Sequence, residues 1–186
     1  MKIALLGDSI RLIGYGKRTA ELLGEEYEVF QPEDNCRFAK YTLRCLFDMA
    51  EAMKDCRIVH FNCGLWDICD IFGDGTFTSE DEYVETMSRI ADILLSRHEK
   101  VIFATTTPVN EKNIYNSNSD IVRFNEIIVP VFEKKGIIIN DLYSLVASDI
   151  DGYICEDTIH LSDEGIEAAA RQVCEIIKRT AYEMKK

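Results

Sequence analysis

The sequence predicts an α/β fold in which helices cover both faces of a parallel sheet. Two observations predict it. Apolar runs alternate along the chain with segments of helical periodicity. The apolar runs are nearly continuous, which is typical of strands buried on both faces. Because no linker, repeat or low-complexity tract interrupts the 186 residues, we expect one domain spanning residues 1–186.

Five short apolar runs are predicted to form the strands of this sheet. The first contains Ile3-Ala4-Leu5-Leu6 and opens the chain. The last ends at Asn140, immediately before Asp141. The five predicted strands are residues 2–6, 27–30, 57–61, 100–104 and 137–140.

Helices are predicted between and after these strands. Ser79, with Glu82 three residues later, has the pattern of a capping box and starts a helix that ends near Arg97. Pro130 is expected to kink the next long helix, and Ser162 or Asp163 caps the last one. The predicted helices are residues 18–23, 41–53, 80–97, 120–134 and 163–185, and the segments 64–75 and 108–117 are predicted loops.

The overall charge and the cysteines restrict the partners and the location. Asp and Glu number 33 against 21 Lys and Arg, which gives a formal net charge of −12. Nucleic acids and anionic membranes require basic surfaces, so we expect neither as a partner. The seven cysteines are an odd number without a CxxC pair or a zinc-like spacing. They favour reduced thiols, no metal site and, with no leader or membrane-spanning run, a cytoplasmic protein.

Two short segments at opposite ends of the chain carry the chemistry. Ser9 follows the first strand in a tight Gly7-Asp8-Ser9 turn that presents its hydroxyl. Asp157 stands three residues before His160, so a helical turn there brings the two side chains together. Ser9, His160 and Asp157 are therefore a candidate nucleophile, general base and orienting group. His60, by contrast, lies inside a predicted buried strand and is expected to be structural.

Glycines near Ser9 do not fit a nucleotide-binding loop. Gly14 and Gly16 begin a dinucleotide fingerprint, but its third glycine is replaced by Thr19. A phosphate-binding loop fails at Arg11 and Arg18. Arg11 also replaces the last glycine of the α/β-hydrolase Gly-x-Ser-x-Gly elbow. If the segment around Ser9 belongs to a hydrolase, its layout therefore differs from that elbow, and nucleotide binding by this fold is the less favoured alternative.

Four segments resemble the conserved blocks of the SGNH hydrolases, also called the GDSL esterases and lipases. Residues 6–10, Leu-Gly-Asp-Ser-Ile, look like the first block, and residues 62–67, Asn-Cys-Gly-Leu-Trp-Asp, look like the third. Thr107-Pro108 fits a weaker block, and residues 157–160, Asp-Thr-Ile-His, look like the last. The resemblance implies a flavodoxin-like, three-layer α/β/α sandwich with about five parallel strands.

The same resemblance implies a serine esterase that works without a metal or a cofactor. Ser9 forms an acyl-serine intermediate, His160 is the base, and Asp157 orients His160. The expected substrate is a small-molecule ester, with small acyl groups on carbohydrate as a plausible class. The expected substrate-binding residues are Asn35, Asn62, Gly64 and Asp67, and Tyr15, Trp66 and Phe72 are an expected aromatic wall.

The oxyanion hole is where the sequence departs from the family. The third-block asparagine that donates to the oxyanion is replaced by Trp66, whose only donor is the indole N–H. The second-block glycine matches Cys36 in a loose alignment. We therefore expect the backbone N–H groups of Ser9 and Cys36, assisted by Trp66, to form the hole. The alternative is a non-catalytic ligand-binding module on the same fold, with Trp66 and Cys36 marking a degenerate hole.

Overall fold

The computed structural model describes residues Met1 to Lys186 and contains one five-stranded sheet. All neighbouring strands pair in parallel, in the order β2-β1-β3-β4-β5. The strands are β1 Lys2–Leu6, β2 Glu28–Phe30, β3 Ile58–Asn62, β4 Lys100–Ala104 and β5 Ile138–Asn140. The predicted sheet of five parallel strands is confirmed, with ends that differ by at most one residue from the predicted ones.

The strand order places a crevice beside Ser9. In this flavodoxin-like order the chain reverses direction across the sheet between β1 and β3, and ligands bind beyond the carboxyl ends of the strands at that switch point. Ser9 follows β1 directly, and the segment that begins at Gly64 follows β3. The fold therefore brings the first and third blocks of the sequence to one edge of the sheet.

Helices cover the sheet on both faces. β1 and β3 are almost entirely buried, which requires a layer on each side of the central strands. Helix Gly16–Leu23 packs against helix Asp163–Glu183. Helix Glu80–Arg97 packs against helices Ala39–Asp48 and Asn118–Lys134. The helices are α1 Gly16–Leu23, α2 Ala39–Asp48, α3 Ala50–Met53, α4 Leu65–Ile68, α5 Glu80–Arg97, α6 Asn118–Lys134, α7 Leu142–Ala147, α8 Ile150–Tyr153 and α9 Asp163–Glu183.

Several helices begin or end away from their predicted positions. A wide, π-helical turn over Ile10–Tyr15 leads into α1, so the chain coils much earlier than residue 18. The predicted helix 41–53 is divided at Met49 into α2 and α3. The short helices α4, α7 and α8 were not predicted, because runs of four to six residues carry too little periodicity. Residues 157–160 form a non-helical bend that nevertheless joins their first and last side chains.

The interior is apolar and continuous from the sheet to both helical layers. Forty-four buried hydrophobic residues form one core cluster, so the strands and helices share a single packed interior. All seven cysteines are free thiols. None of the helices combines the length and the hydropathy that a membrane span requires.

Candidate active site

The turn that carries Ser9 lies unusually close to the end of β3. A Cβ atom on Gly7 would stand 2.0 Å from Asn62 Oδ1, and Gly7 has a φ of +155°. Only glycine fits this approach without displacing the neighbouring strand. The close contact lets the β1 turn rest on β3 and presents Ser9 at the edge of the sheet.

A buried polar network holds this turn from below. Asp8 Oδ1 accepts hydrogen bonds from the Ile10 N–H at 2.9 Å and from Asn62 Nδ2 at 2.7 Å. The Tyr15 hydroxyl donates to Asn62 Oδ1 at 2.8 Å. Burial raises the pKa of Asp8, and the hydrogen bonds from Asn62 and Ile10 oppose that rise. Asp8 therefore orders the turn from the inside and does not face a substrate.

Arg11 ties the Ser9 turn to the loop after β2. Its side chain is almost completely buried, at 1% exposure, which is rare for arginine. The guanidinium donates to the Gly7 carbonyl at 3.2 Å, to the Pro32 carbonyl at 2.8 Å and to the Asp34 carbonyl at 2.9 Å. In the sequence Arg11 only interrupts other motifs. In the structure its guanidinium joins the Ser9 turn to the loop after β2.

His160 and Asp157 complete a chain of hydrogen bonds that begins at Ser9. The Ser9 Oγ and His160 Nε2 atoms are 2.8 Å apart, and His160 Nδ1 lies 2.7 Å from Asp157 Oδ2. With the Nδ1 proton donated to Asp157, Nε2 is the acceptor that faces the Ser9 hydroxyl. This is the relative arrangement of nucleophile, base and orienting carboxylate in serine hydrolases.

Two backbone N–H groups of its own loop hold Asp157 in place. Its Oδ1 accepts from the Ile159 N–H at 3.0 Å and from the His160 N–H at 2.9 Å. Partial burial raises its pKa, but the hydrogen bonds from His160 and Ile159 outweigh that effect and leave the pKa below its usual value. Asp157 therefore remains a carboxylate beside the imidazole at neutral pH. Thr158, between them, has a φ of +74°, a strained conformation often found at functional sites.

The structure contradicts the expected role of Cys36 in the oxyanion hole. The Cys36 N–H donates to the Gly7 carbonyl at 3.1 Å, so this donor is already used inside the protein. The Ser9 N–H, in contrast, takes part in no hydrogen bond of the protein. Trp66 is 42% exposed next to Ser9, and its indole N–H also has no partner in the protein. Ser9 and Trp66 thus retain free donors, and Cys36 does not.

Two residues expected to bind substrate are instead internal supports. Asn62 is 5% exposed and directs its amide inward to Asp8 and Tyr15, so it supports the Ser9 turn. Asp67 is fully buried and accepts from the Ala39 N–H at 2.9 Å and the Thr78 hydroxyl at 2.8 Å. Burial raises the pKa of Asp67 to about 6, against the opposing effect of those hydrogen bonds.

Gly64 and Asn35 act on the shape of the loops around the site. A Cβ atom on Gly64 would meet Thr106 Oγ1 at 2.1 Å, so glycine permits α4 to begin against the end of β4. Asn35 Oδ1 accepts from the Arg37 N–H at 2.7 Å and shapes a loop in which Arg37 has a φ of +49°. Neither residue lines the cavity beside Ser9.

A cavity of about 300 Å³ opens next to Ser9. It is lined mainly by hydrophobic side chains that come from the segments after β2, β3 and β4. The lining residues are Ser9, Phe38, Leu65, Trp66, Cys69, Ile71, Phe77, Tyr115, Asn116 and Ile159. Of the expected aromatic wall, only Trp66 is present. Tyr15 is buried below Ser9, and Phe72 is 79% exposed outside the lining.

Most cavity residues were missed by sequence reasoning because their segments are far apart in the chain. The Asp70 N–H donates to the Tyr115 carbonyl at 2.7 Å and joins the loop after α4 to the loop before α6. The rings of Phe38 and Phe77 pack edge-on with centroids 5.6 Å apart. No group of three or more His, Cys, Asp or Glu side chains is arranged to hold a metal ion.

Comparison with known proteins finds one similar curated sequence. No protein-family model matches the chain. Over 126 residues the chain is 30% identical to the GDSL esterase/lipase WDL1 of Oryza sativa subsp. japonica, with 60% of this chain and 48% of that protein covered. The chain is thus similar in sequence to a GDSL esterase/lipase and spans about half the length of that curated relative.

Solved structures share the fold of this chain over nearly its whole length. An acetyl xylan esterase superposes with a TM-score of 0.79 at 20% identity, covering 95% of this chain and 100% of the other. A lipase/acylhydrolase from Enterococcus faecalis superposes with a TM-score of 0.78 at 19% identity, covering 96% of each chain. These similarities confirm the three-layer α/β/α architecture.

Proposed function

We propose that this chain is a serine esterase that hydrolyses small acyl esters through an acyl-serine intermediate. The observation that carries the proposal is the hydrogen-bonded series Ser9 Oγ, His160 Nε2, His160 Nδ1 and Asp157 Oδ2, with distances of 2.8 Å and 2.7 Å. A nucleophile, a base and a group that orients the base are the parts that acyl transfer requires.

In the first half of the reaction Ser9 Oγ attacks the ester carbonyl carbon while His160 Nε2 takes the hydroxyl proton. Asp157 stabilises the resulting imidazolium. The tetrahedral oxyanion then collapses, the bond to the alcohol oxygen breaks, and His160 gives its proton to the leaving alcohol. Ser9 is left as an acyl ester.

In the second half a water molecule attacks the acyl-serine, again with His160 as the base. The bond between Ser9 Oγ and the acyl carbon breaks, the carboxylic acid leaves, and the proton returns from His160 to Ser9. The free N–H of Ser9 and the indole N–H of Trp66 are the proposed oxyanion donors. Loss of one donor from such a hole costs about 10²–10³ in rate, so a hole without the Cys36 N–H supports a slower enzyme.

A carbohydrate hydroxyl is the proposed alcohol side of the ester. The similar acetyl xylan esterase fold supports this choice.

One observation favours a second candidate, a non-catalytic ligand-binding module. The Cys36 N–H is occupied by the Gly7 carbonyl, which is what a degenerate oxyanion hole would show. Under this alternative the cavity binds its ligand without turnover, and the Ser9–His160 hydrogen bond has no chemical consequence.

Hydrolysis of p-nitrophenyl acetate and p-nitrophenyl butyrate separates the two candidates. The wild type, Ser9→Ala and the matched exposed-serine control Ser96→Ala are assayed together. We expect Ser9→Ala to lower kcat/KM by at least about 10³-fold and Ser96→Ala to leave it unchanged. Equal rates in the wild type and Ser9→Ala, or no turnover of either ester, would contradict the esterase and favour the binding module.

A further inference from the structure

The cavity beside Ser9 lies on one side of the candidate triad. Ser9 and Ile159 line it, but His160 does not. In acyl transfer the leaving alcohol receives its proton from the histidine, so the alcohol lies on the His160 side. The acyl group stays attached to Ser9 and occupies the other side. The cavity is therefore in the position of the acyl group.

The lining of the cavity is suited to a hydrocarbon chain. Its polar groups are few, and its walls are the rings or aliphatic side chains of residues such as Leu65, Trp66 and Phe77. Ile71, Phe77 and Tyr115 are about half exposed, at 46%, 49% and 52%. An acyl chain in the cavity would remove this apolar surface from water, which is the main source of affinity for such chains.

The cavity is larger than an acetyl group needs. A single water molecule, which is about the size of a methyl group, needs only about 10–15 Å³ of such cavity volume, whereas this cavity measures about 300 Å³. An acetyl methyl group would leave most of the apolar wall in contact with water. A chain of about six carbons would cover more of this wall and stays within the volume of a small-ligand pocket.

Trp66 lines the cavity together with Ser9, and hydrogen bonds anchor the backbone on which it stands. The Trp66 carbonyl accepts from the Cys69 thiol at 3.0 Å, and the preceding Leu65 carbonyl accepts from Asn116 Nδ2 at 2.9 Å. Asp67, the next residue, is buried and anchored to Ala39 and Thr78. The indole therefore stands on a rigid turn, as a residue that determines specificity requires.

We propose that this cavity is an acyl-binding pocket that selects unbranched acyl groups of about six carbons over acetyl, with Trp66 as its specificity-determining wall. The proposal rests on the proposed esterase function and deepens it. The family position of Trp66 is that of an oxyanion donor, and in this chain the large ring adds a second role, which is contact with the acyl chain.

A series of p-nitrophenyl esters from acetate to hexanoate tests the pocket, with Ser9→Ala subtracted at each length. Each buried methylene is expected to raise kcat/KM by up to about fourfold. We therefore expect the ratio of kcat/KM for hexanoate over acetate to be at least about tenfold. The exposed aromatic control Phe47→Ala, on α2 outside the cavity, should keep this ratio.

Two substitutions at position 66 separate the wall from the oxyanion donor. Trp66→Phe removes the indole N–H and keeps an aromatic wall, so it should lower the rate with both esters and preserve the ratio. Trp66→Ala removes both and should lower the ratio by at least about threefold, since the acyl chain loses apolar contact. Cys69→Phe, which puts a larger side chain into the cavity lining, should lower the ratio as well and serves where Trp66→Ala does not fold.

The failures of the two proposals are distinguishable. Ser9-dependent hydrolysis with a hexanoate-to-acetate ratio of one or less overturns the acyl pocket and leaves the esterase intact. A ratio that Trp66→Ala and Cys69→Phe leave unchanged overturns the role of the cavity lining. Absence of Ser9-dependent hydrolysis at every chain length overturns the esterase and the pocket together.

Discussion

The two segments that meet at the Ser9–His160 hydrogen bond are held by different kinds of contact. The Ser9 turn is buried and is joined to distant segments by Asp8, Arg11 and Asn62. The loop with Asp157 and His160 is more exposed, and most of its hydrogen bonds join residues that are two to six positions apart.

This difference indicates that the Ser9 turn contributes to stability, whereas the loop with Asp157 and His160 contributes little to it. Buried polar groups that are linked across the fold contribute to stability, because removing one leaves its partners unsatisfied in a low-dielectric interior. Groups in a local, exposed loop are removed with little effect on stability. We therefore expect changes in the His160 loop to affect activity and changes around Ser9 to affect folding as well.

The largest expected effect is on activity, in the exposed loop. His160→Ala removes the proposed base and should lower kcat by about 10⁴–10⁶-fold, in the range known for triad residues. Its free energy of unfolding should stay within about 1 kcal/mol of the wild type. Steady-state hydrolysis and urea unfolding of the same preparation check both expectations. A large loss of stability in His160→Ala would contradict the expectation that the exposed loop contributes little to stability.

A large effect on stability is expected on the Ser9 side. Arg11→Met keeps much of the buried volume but leaves the Gly7, Pro32 and Asp34 carbonyls without the guanidinium donor. We expect the free energy of unfolding to fall by about 2–5 kcal/mol. The matched variant Arg18→Met removes a half-exposed, ion-paired arginine and should cost less than about 1 kcal/mol. Equal losses in the two variants would contradict the structural role of Arg11.

The smallest expected effect is a difference in pH dependence between a buried and an exposed carboxylate. Burial raises the pKa of Asp67 to about 6, so the folded state holds its proton more tightly than the unfolded state. The free energy of unfolding of the wild type should therefore fall by up to about 3 kcal/mol relative to that of Asp67→Asn as the pH rises from about 4 to 6. Above about pH 7 the difference between the two proteins should be constant.

The pKa of Asp157 is shifted in the opposite direction to the pKa of Asp67. Its folded pKa lies below its usual value, so the stability that it contributes is present above that value and is lost only as the pH falls through the folded pKa. The stability deficit of Asp157→Asn relative to the wild type should therefore shrink as the pH falls from about 5 to 3. Urea unfolding at several pH values measures both variants. A wild type that loses stability relative to Asp157→Asn as the pH rises from about 3 to 5 would contradict the assigned direction.

The sheet could be predicted because its signals are local. Nearly continuous apolar runs gave all five strands, and Ser79 accepts from the Glu82 N–H at the start of α5 as the capping pattern predicts. The juxtaposition of Ser9 and His160 also follows from a general rule, since both lie at the carboxyl edge of a parallel sheet. Family blocks supplied the rest of that hypothesis.

The remaining features depend on contacts between distant segments. Nothing local predicts that the Cys36 N–H faces the Gly7 carbonyl, or that a charged residue such as Arg11 is buried. The cavity is equally nonlocal, because Phe38, Phe77 and Tyr115 meet only when three loops fold together. Short helices such as α4 are stabilised by such contacts and not by their own sequence.

Covalent labelling of Ser9 tests the central claim most directly. The wild type, Ser9→Ala and His160→Ala are incubated with a p-nitrophenyl alkylphosphonate, and the adducts are located by peptide mass spectrometry. We expect one phosphonyl group on Ser9 in the wild type, none in Ser9→Ala and a much slower reaction in His160→Ala. Labelling at another residue, or an unlabelled wild type, would contradict a nucleophilic Ser9 activated by His160.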